Sequence, residues 1–256
     1  MSYGDFAYIY DDLMRDVPYD QWLNFFQNKV KKYNISGKKV MDLACGTGEL
    51  TVKLAEEDFE VTGVDLSEDM LMVAREKAEK VGVPIQLFQQ NMCALEGLGT
   101  FDAVTIFCDS LNYLSTPEEV QETFKGVYTH LDDNGLFIFD VHSIYKVDQI
   151  FMNETFTYID DEISYIWNSF EGDFPHSVEH ELTFFVLNEK TDQYIRFDEL
   201  HRQRTFPISE YSKWLEAAGF DVLEVSADYS DNIPSDTSER IFFVCKKNKQ
   251  EKKSDL

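Results

Sequence analysis

The stretch Asp42-Leu43-Ala44-Cys45-Gly46-Thr47-Gly48 places an acid, two glycines and small residues at the end of an apolar run. Glycines here let a ligand approach the backbone where a strand turns into a helix. The carboxyl end of such a strand is also where open α/β sheets bind ligands. Asp65 ends the next apolar run, seventeen residues past Gly48. A carboxylate in that place can accept hydrogen bonds from both hydroxyls of a ribose; its alternative is a capping role ahead of Ser67. The spacing suits any adenosine-containing ligand. A pyrophosphate would want a third glycine near position 51 to seat the helix. The chain has Thr51 there and the acidic Glu49 at the helix start. A ligand without pyrophosphate is better served, which weighs against a nicotinamide dehydrogenase.

Two further groups could move a proton. Asp109 follows the fourth apolar run and His142 follows the fifth, both at carboxyl ends of strands facing the expected pocket. Either could assist an amine that must react as the neutral base. Asp109 has an alternative as the cap of Ser110-Leu111-Asn112, and His142 as a plain wall residue. The other histidines sit elsewhere, with His176 and His180 expected on a strand surface. The sequence offers no covalent nucleophile constellation and no metal-ligand cluster. Its four cysteines, Cys45, Cys93, Cys108 and Cys245, form no CxxC pair, which fits a reduced, cytoplasmic setting without zinc.

The elements that must position these groups follow from periodicity. Asp16 and Pro18 suit a helix start, and Trp22, Phe25, Phe26 and Val30 recur at helical spacing. From 38 to 142 strands and helices alternate: KKVMDLA, ELTVKLAEE, FEVTGVD, a helix capped by Ser67, PIQLFQQN, FDAVTIFCD and LFIFDVH. The helix before the last of these opens on Thr116-Pro117-Glu118-Glu119, a capping box with proline in the first turn. Such alternation implies a parallel sheet covered on both faces. From about 151 to 206 the period changes to strand-like runs without helices, an inserted antiparallel meander rich in aromatics. The helix SEYSKWLEAAG, closed by Gly219, and two antiparallel strands joined by a short polar loop end the pattern.

Composition narrows the partners. The 256 residues carry 23 Lys+Arg against 48 Asp+Glu, a formal charge of −25, with 43% hydrophobic residues. That is ample material for a core. A surface this negative repels phosphate backbones, and the basic residues gather in the tail at Lys246, Lys247, Lys249, Lys252 and Lys253. Nucleic acid is disfavoured and a neutral or cationic acceptor is favoured. No window approaches the ~20 apolar residues of a membrane span, and MSYGDFAYIYDDLM lacks a signal-peptide pattern.

DLACGTG, then VDLSEDML, then Asn91-Met92 after the third strand, in that order over residues 38–142, resemble a class I S-adenosylmethionine-dependent methyltransferase. The resemblance implies a Rossmann-like doubly wound α/β sheet with a C-terminal antiparallel strand hairpin, here with an inserted antiparallel β subdomain. It implies S-adenosyl-L-methionine as cofactor. Ala44, Cys45 and Gly46 would pass close to its methionine part and Asp65 would hold the ribose. Leu66 and Met70 would flank the adenine, with Asn91 and Met92 at its polar edge. Leu66 and Met70 have a core-packing alternative. Many relatives carry Asp where this chain has Asn91, which keeps a hydrogen-bonding side chain.

A narrower resemblance spans more of the chain. IYDDLM, FCDSLNYL, the β-rich insertion and RFDELHRQRTF are similar to amino-sugar N,N-dimethyltransferases and related bacterial small-molecule methyltransferases. In that group an N-terminal tyrosine closes the cofactor site. Tyr19 is the best positional match, with Tyr10 and Trp22 as neighbours, and Cys108 of FCDSLNYL joins the cofactor-binding set. Met14 replaces one aromatic of the sugar enzymes, so their substrate does not carry over. The expected organisation is helices over 1–36 closing the site and a methyltransferase core over 37–146 and 207–247. An inserted subdomain over 147–206 and a basic tail over 248–256 complete it. The expected activity is methyl transfer to a small molecule, N-methylation ahead of O-methylation, with an amine favoured as acceptor. The alternatives are a methyltransferase for a protein or RNA component and a non-catalytic S-adenosylmethionine-binding module.

Overall fold

The computed structural model describes residues 17–188 and 191–247. Helix α1 (Tyr19–Lys32) precedes β1 (Lys39–Leu43), α2 (Glu49–Glu56), β2 (Glu60–Asp65), α3 (Glu68–Val81), β3 (Ile85–Gln89) and β4 (Phe101–Ile106). Then come α4 (Pro117–His130), β5 (Leu131–His142), the insertion strands β6 (Thr155–Ile159), β7 (Ile163–Glu171), β8 (Ser177–Asn188) and β9 (Gln193–Arg204). Helix α5 (Ile208–Ala218), β10 (Phe220–Ala227) and β11 (Arg240–Lys247) close the order. The main sheet runs β10-β11-β5-β4-β1-β2-β3. Strands β1 to β5 pair in parallel, while β11 pairs antiparallel with both β5 and β10. The chain leaves β1 in one direction and returns to β4 on its other side. That reversal opens a crevice at the carboxyl ends of β1 and β4.

Period-two alternation fills both faces. Phe137, Phe139 and Val141 of β5 pack with Phe243 and Cys245 of β11 against α4 and α5, through Phe124, Trp214 and Leu215. Leu136, Ile138, Phe242 and Val244 point the other way, onto Trp22, Phe25 and Phe26 of α1 and Leu54 of α2. Thr116 and Glu119 form the expected capping box on α4, and Ser67 Oγ accepts from Met70 N at the start of α3. Gly219 (φ 100°) ends α5 in the left-handed conformation that a Cβ would oppose.

Three boundaries differ from the sequence reading. Strand β5 begins at Leu131, five residues before LFIFDVH, because it carries a bulge whose Asp132, Asp133 and Asn134 have no apolar pattern. The link between β10 and β11 is the twelve-residue segment 228–239, not a short turn. Pro18 caps α1 from outside the first turn, and Asp16 lies outside the described residues. The insertion is a separate antiparallel meander ordered β6-β7-β8-β9. No helix among the described residues is long and apolar enough to cross a membrane.

Candidate active site

The floor is the turn after β1. Asp42 is buried at the strand end, where Thr51 Oγ1 donates to Oδ2 at 2.6 Å and Thr105 Oγ1 to Oδ1 at 3.0 Å. Burial pushes its carboxyl up to about 6, against the pull of those hydroxyls. Position 51, where a dinucleotide site would want glycine, thus carries the hydroxyl that seats this acid. Gly46 has φ 54°, and a Cβ there would meet nothing within 4 Å, so the turn leaves open space above it. Gly48 (φ 74°) lies so close to α3 that a Cβ would fall 2.7 Å from Ala74 Cβ. The first glycine makes room for a ligand and the second lets two helices touch.

Asp65 joins the two turns. Its Oδ2 accepts from Gly46 N at 2.7 Å and its Oδ1 from Ser67 N at 2.9 Å. Burial raises its pKa, opposed by the N–H groups of Ser67, Gly46 and Leu66. A carboxylate offers about four lone-pair sites; Gly46 N and Ser67 N take two, Leu66 N–H faces it as well, and the remaining capacity suits a ribose diol. The ribose and capping readings are therefore compatible. Leu66 is 67% exposed, which removes its core-packing alternative. Asn91 Oδ1 accepts from Cys93 N at 2.9 Å, leaving the amide nitrogen as a donor. This floor fits the adenosine and methionine parts of S-adenosylmethionine.

One cavity of about 1150 Å³ rises from the floor. It is lined by Tyr19, Ala44, Cys45, Gly46, Asp65, Leu66, Met70, Asn91, Met92, Cys108, Asp109 and His142. Tyr10 lies outside the described residues. Trp22 is not on the wall: it is 2% exposed and its indole N–H donates to Asp140 Oδ1 at 2.9 Å. Its place is the packed side of α1, a correction to its expected contact with cofactor. The Cys45 and Cys108 thiols are raised well above their ordinary value, first by burial and then by neighbouring carboxylates. They line the wall as neutral groups.

The far wall holds a charged cluster. Cys108 and Asp109 leave β4 with φ 55° and 53°, two successive non-glycine residues in the left-handed region, a costly turn of the kind found at functional sites. It aims the Asp109 carboxylate at three donors. Arg240 Nη2 donates to Oδ1 at 2.8 Å, Gln203 Nε2 donates to Oδ2 at 3.0 Å, and His142 Nε2 stands 3.3 Å from Oδ2. Arg240 also bonds Asp140, which accepts from Asp109 N at 3.1 Å as well. Burial opposes ionisation of Asp109, but the facing His142 and Arg240 win and hold it well below the usual carboxylate range. Burial lowers His142, partly offset by Asp109. The stable arrangement is an ionised Asp109 accepting Nε2–H from a neutral His142. Nδ1 is then a bare lone pair, and it is buried without a hydrogen bond. Asn112 fixes the frame, accepting from His142 N at 2.9 Å and donating to Arg204 O at 2.8 Å.

Residues 40–135 match the Methyltransferase domain family. A protein of Geobacillus sp. (strain WCH70), provisionally named a methyltransferase, is 57% identical over 96% of this chain and 100% of its own length. The crystal structure of an S-adenosylmethionine-dependent methyltransferase from Clostridium acetobutylicum ATCC 824 superposes with TM-score 0.88 at 35% identity, covering 96% of this chain and 99% of that one. This chain belongs to the class I S-adenosylmethionine-dependent methyltransferases. The fold is also that of KedS8, a sugar N-methyltransferase from Streptoalloteichus sp. ATCC 53650, with TM-score 0.75, 21% identity, and coverage of 94% and 92%.

Within the aromatic-rich insertion of this methyltransferase, Leu182, His201 and Gln203 carry no signal in the sequence that places them at a site, whereas its aromatics do. The inner face of the insertion contributes Tyr165, Trp167, His180, Leu182, Phe184, His201 and Gln203 to the cavity. Asp140 and Arg240 had a readable signal: an acid inside FIFDVH, an otherwise apolar strand, must be paired, and Arg240 opens the neighbouring strand. Carboxylates dominate the wall. Among the described residues the wall carries Asp42, Glu49, Asp65, Asp109, Glu119, Asp160, Glu162 and Glu239 against Lys146 and Arg240, while Glu49 is paired with Lys77 and Lys53.

Proposed function

We propose that this methyltransferase N-methylates a small amine held between the cofactor floor and the inner face of the insertion. The observation that carries the reading is the buried Asp109–His142 pair on the wall of the cofactor's own cavity. That cavity, at about 1150 Å³, exceeds the ~300–1,000 Å³ of a single-ligand pocket, which leaves room for an acceptor beside the cofactor. The excess of carboxylates on its wall favours an amine arriving as a cation over an anionic acceptor.

S-Adenosylmethionine, when bound, supplies an electrophilic methyl group and its leaving group. The protein must then align the acceptor, exclude water and manage one proton. Asp109 holds the His142 proton on Nε2, and the Asp109–His142 pair takes the proton from the amine. Asp109 then steadies the imidazolium. Tyr165, Trp167 and Phe184 close the acceptor side as an apolar lid over the reacting centre. The formal charge of −25 and the acidic wall speak against an RNA acceptor.

The test is S-adenosylhomocysteine release from a panel of small amines and their matched alcohols. Turnover with amines is expected. Turnover confined to the alcohols would overturn the N-methylation reading.

A further inference from the structure

Three successive residues where β9 ends each hold a different part of the Asp109–His142 wall. Gln203 Nε2 donates to Asp109 Oδ2 at 3.0 Å. Arg204 O accepts at 2.8 Å from the amide of Asn112, whose oxygen receives His142 N. Thr205 Oγ1 donates to His142 O at 2.6 Å. Gln203 belongs to the insertion, lines the cavity and is buried. Behind it a chain of donors crosses the insertion sheet. Trp167 Nε1–H on β7 donates to His180 Nδ1 on β8 at 2.9 Å. Indole nitrogen only donates, so Nδ1 accepts, and the proton of the neutral ring sits on Nε2. Burial holds His180 down to about 4, which keeps that ring neutral through physiological pH. The ring bonds the side chain of Gln203, its diagonal neighbour across β8 and β9, in the sense that makes the imidazole the donor. An amide has two orientations of the same shape. Only one serves here, with oxygen toward His180 and nitrogen toward Asp109. The flipped amide would set its oxygen against the carboxylate and its N–H groups against the His180 proton.

We infer that Gln203 is a positioning residue that holds Asp109 against His142, so that the insertion sets the geometry of the proton-handling pair as well as covering the acceptor. The inference rests on the reading above, in which that pair takes the acceptor's proton. Asp109 leaves β4 in a left-handed turn (φ 53°), which costs energy and persists only where its surroundings hold it. Arg240 binds Oδ1, and Oδ2 is the oxygen that faces His142 Nε2. Gln203 is the neutral donor that fixes Oδ2 beside that ring. The titratable groups around this point are His142 and Asp140 on β5, Arg240 on β11, His180 on β8 and His201 on β9. Cys108 and Tyr113 flank Asp109 in the chain, Tyr229 lies on the 228–239 link, and Lys146 stands beside His142.

The experiment follows labelled methyl transfer by the full chain from S-adenosylmethionine to the small-molecule fraction of a cell extract, between pH 9 and pH 6.5. Calorimetry on the same preparations reads S-adenosylhomocysteine affinity. Gln203→Leu should lower the rate about tenfold while affinity stays within about twofold. In Gln203→Glu two carboxylates face each other, which raises the pKa of one of them. Above that pKa the donor to Oδ2 is lost, and below it the shared proton restores one. The rate relative to wild type should climb about fivefold or more as the pH falls. A side chain that only fills space gives a ratio independent of pH. Long-range ¹⁵N–¹H spectra of ¹⁵N-histidine-labelled protein with S-adenosylhomocysteine add a readout free of turnover. His142 and His180 should both be Nε2–H tautomers, and Trp167→Phe should move the His142 resonances in wild type but not in Gln203→Leu. A flat ratio for Gln203→Glu, a wild-type rate for Gln203→Leu, or an Nδ1–H tautomer at His180 overturns the inference and leaves the amine reading standing. Label on oxygen alone ends the amine reading, and the pH ratio then decides the role of Gln203 by itself.

Discussion

Asp109 and His142 meet through Oδ2 and Nε2 at 3.3 Å, although 33 residues separate them in the chain. Each sits at the carboxyl end of a strand, and β4 and β5 are neighbours, so the sheet brings them together. Burial lowers His142 from its ordinary 6.5 and Asp109 raises it. The neutral ring is the base, so the enzyme's limb in kcat/KM against pH should fall off only below about pH 6.5. Asp109→Asn removes the raising charge, so the limb should move further down and the plateau should drop by ~10²–10⁴. A pH–rate profile on any amine acceptor measures both. An unchanged plateau would remove the pair from the reaction.

Asp65→Ala should weaken S-adenosylmethionine binding by ~1.5–3 kcal/mol, the range for hydrogen bonds to a charged group. The same change frees Gly46 N and Ser67 N, so the loss should sit toward the upper end. Calorimetry with wild type and variant reads it directly. Equal affinity would take Asp65 out of the site.

Arg240→Leu should cost ~3–5 kcal/mol of stability, because it strands the buried carboxylates of Asp109 and Asp140 without their cation. Urea unfolding at pH 8 should show a lower midpoint than that of wild type. A midpoint equal to that of wild type at pH 8 would mean that the guanidinium is not paired as described.

Much of this architecture is legible in the chain, and its limits are physical. Strands β1, β2 and β4 read as apolar runs because they are buried on both faces. Gly46, Gly48 and Asp65 read as a motif because the turn that uses them is local. The start of β5 is hidden by a polar bulge. Asp140 and Arg240 lie 100 residues apart, and only strand order pairs them. Alternation in the insertion reveals strands but not which face looks inward, so His180 reads as surface decoration when it is 3% exposed. Trp22 reads correctly as the buried stripe of α1, while its bond to Asp140 depends on that helix's packing.

Replacing residues 155–204 by a short flexible linker should leave S-adenosylmethionine affinity within about threefold, since Gly46 and Asp65 lie outside the segment, and should abolish methyl transfer. Binding and turnover on the same soluble preparation measure this. A deletion variant with unchanged turnover would rule out the insertion as the acceptor's enclosure.

The most direct test of the account is transfer of labelled methyl from S-adenosylmethionine in a cell extract separated into small molecules, protein and RNA. Label should enter the small-molecule fraction, on a species retained by cation exchange and carrying the methyl on nitrogen. It should also require His142, with His142→Ala reducing transfer by ~10²-fold or more. Label found in protein or RNA, or on oxygen alone, would contradict it.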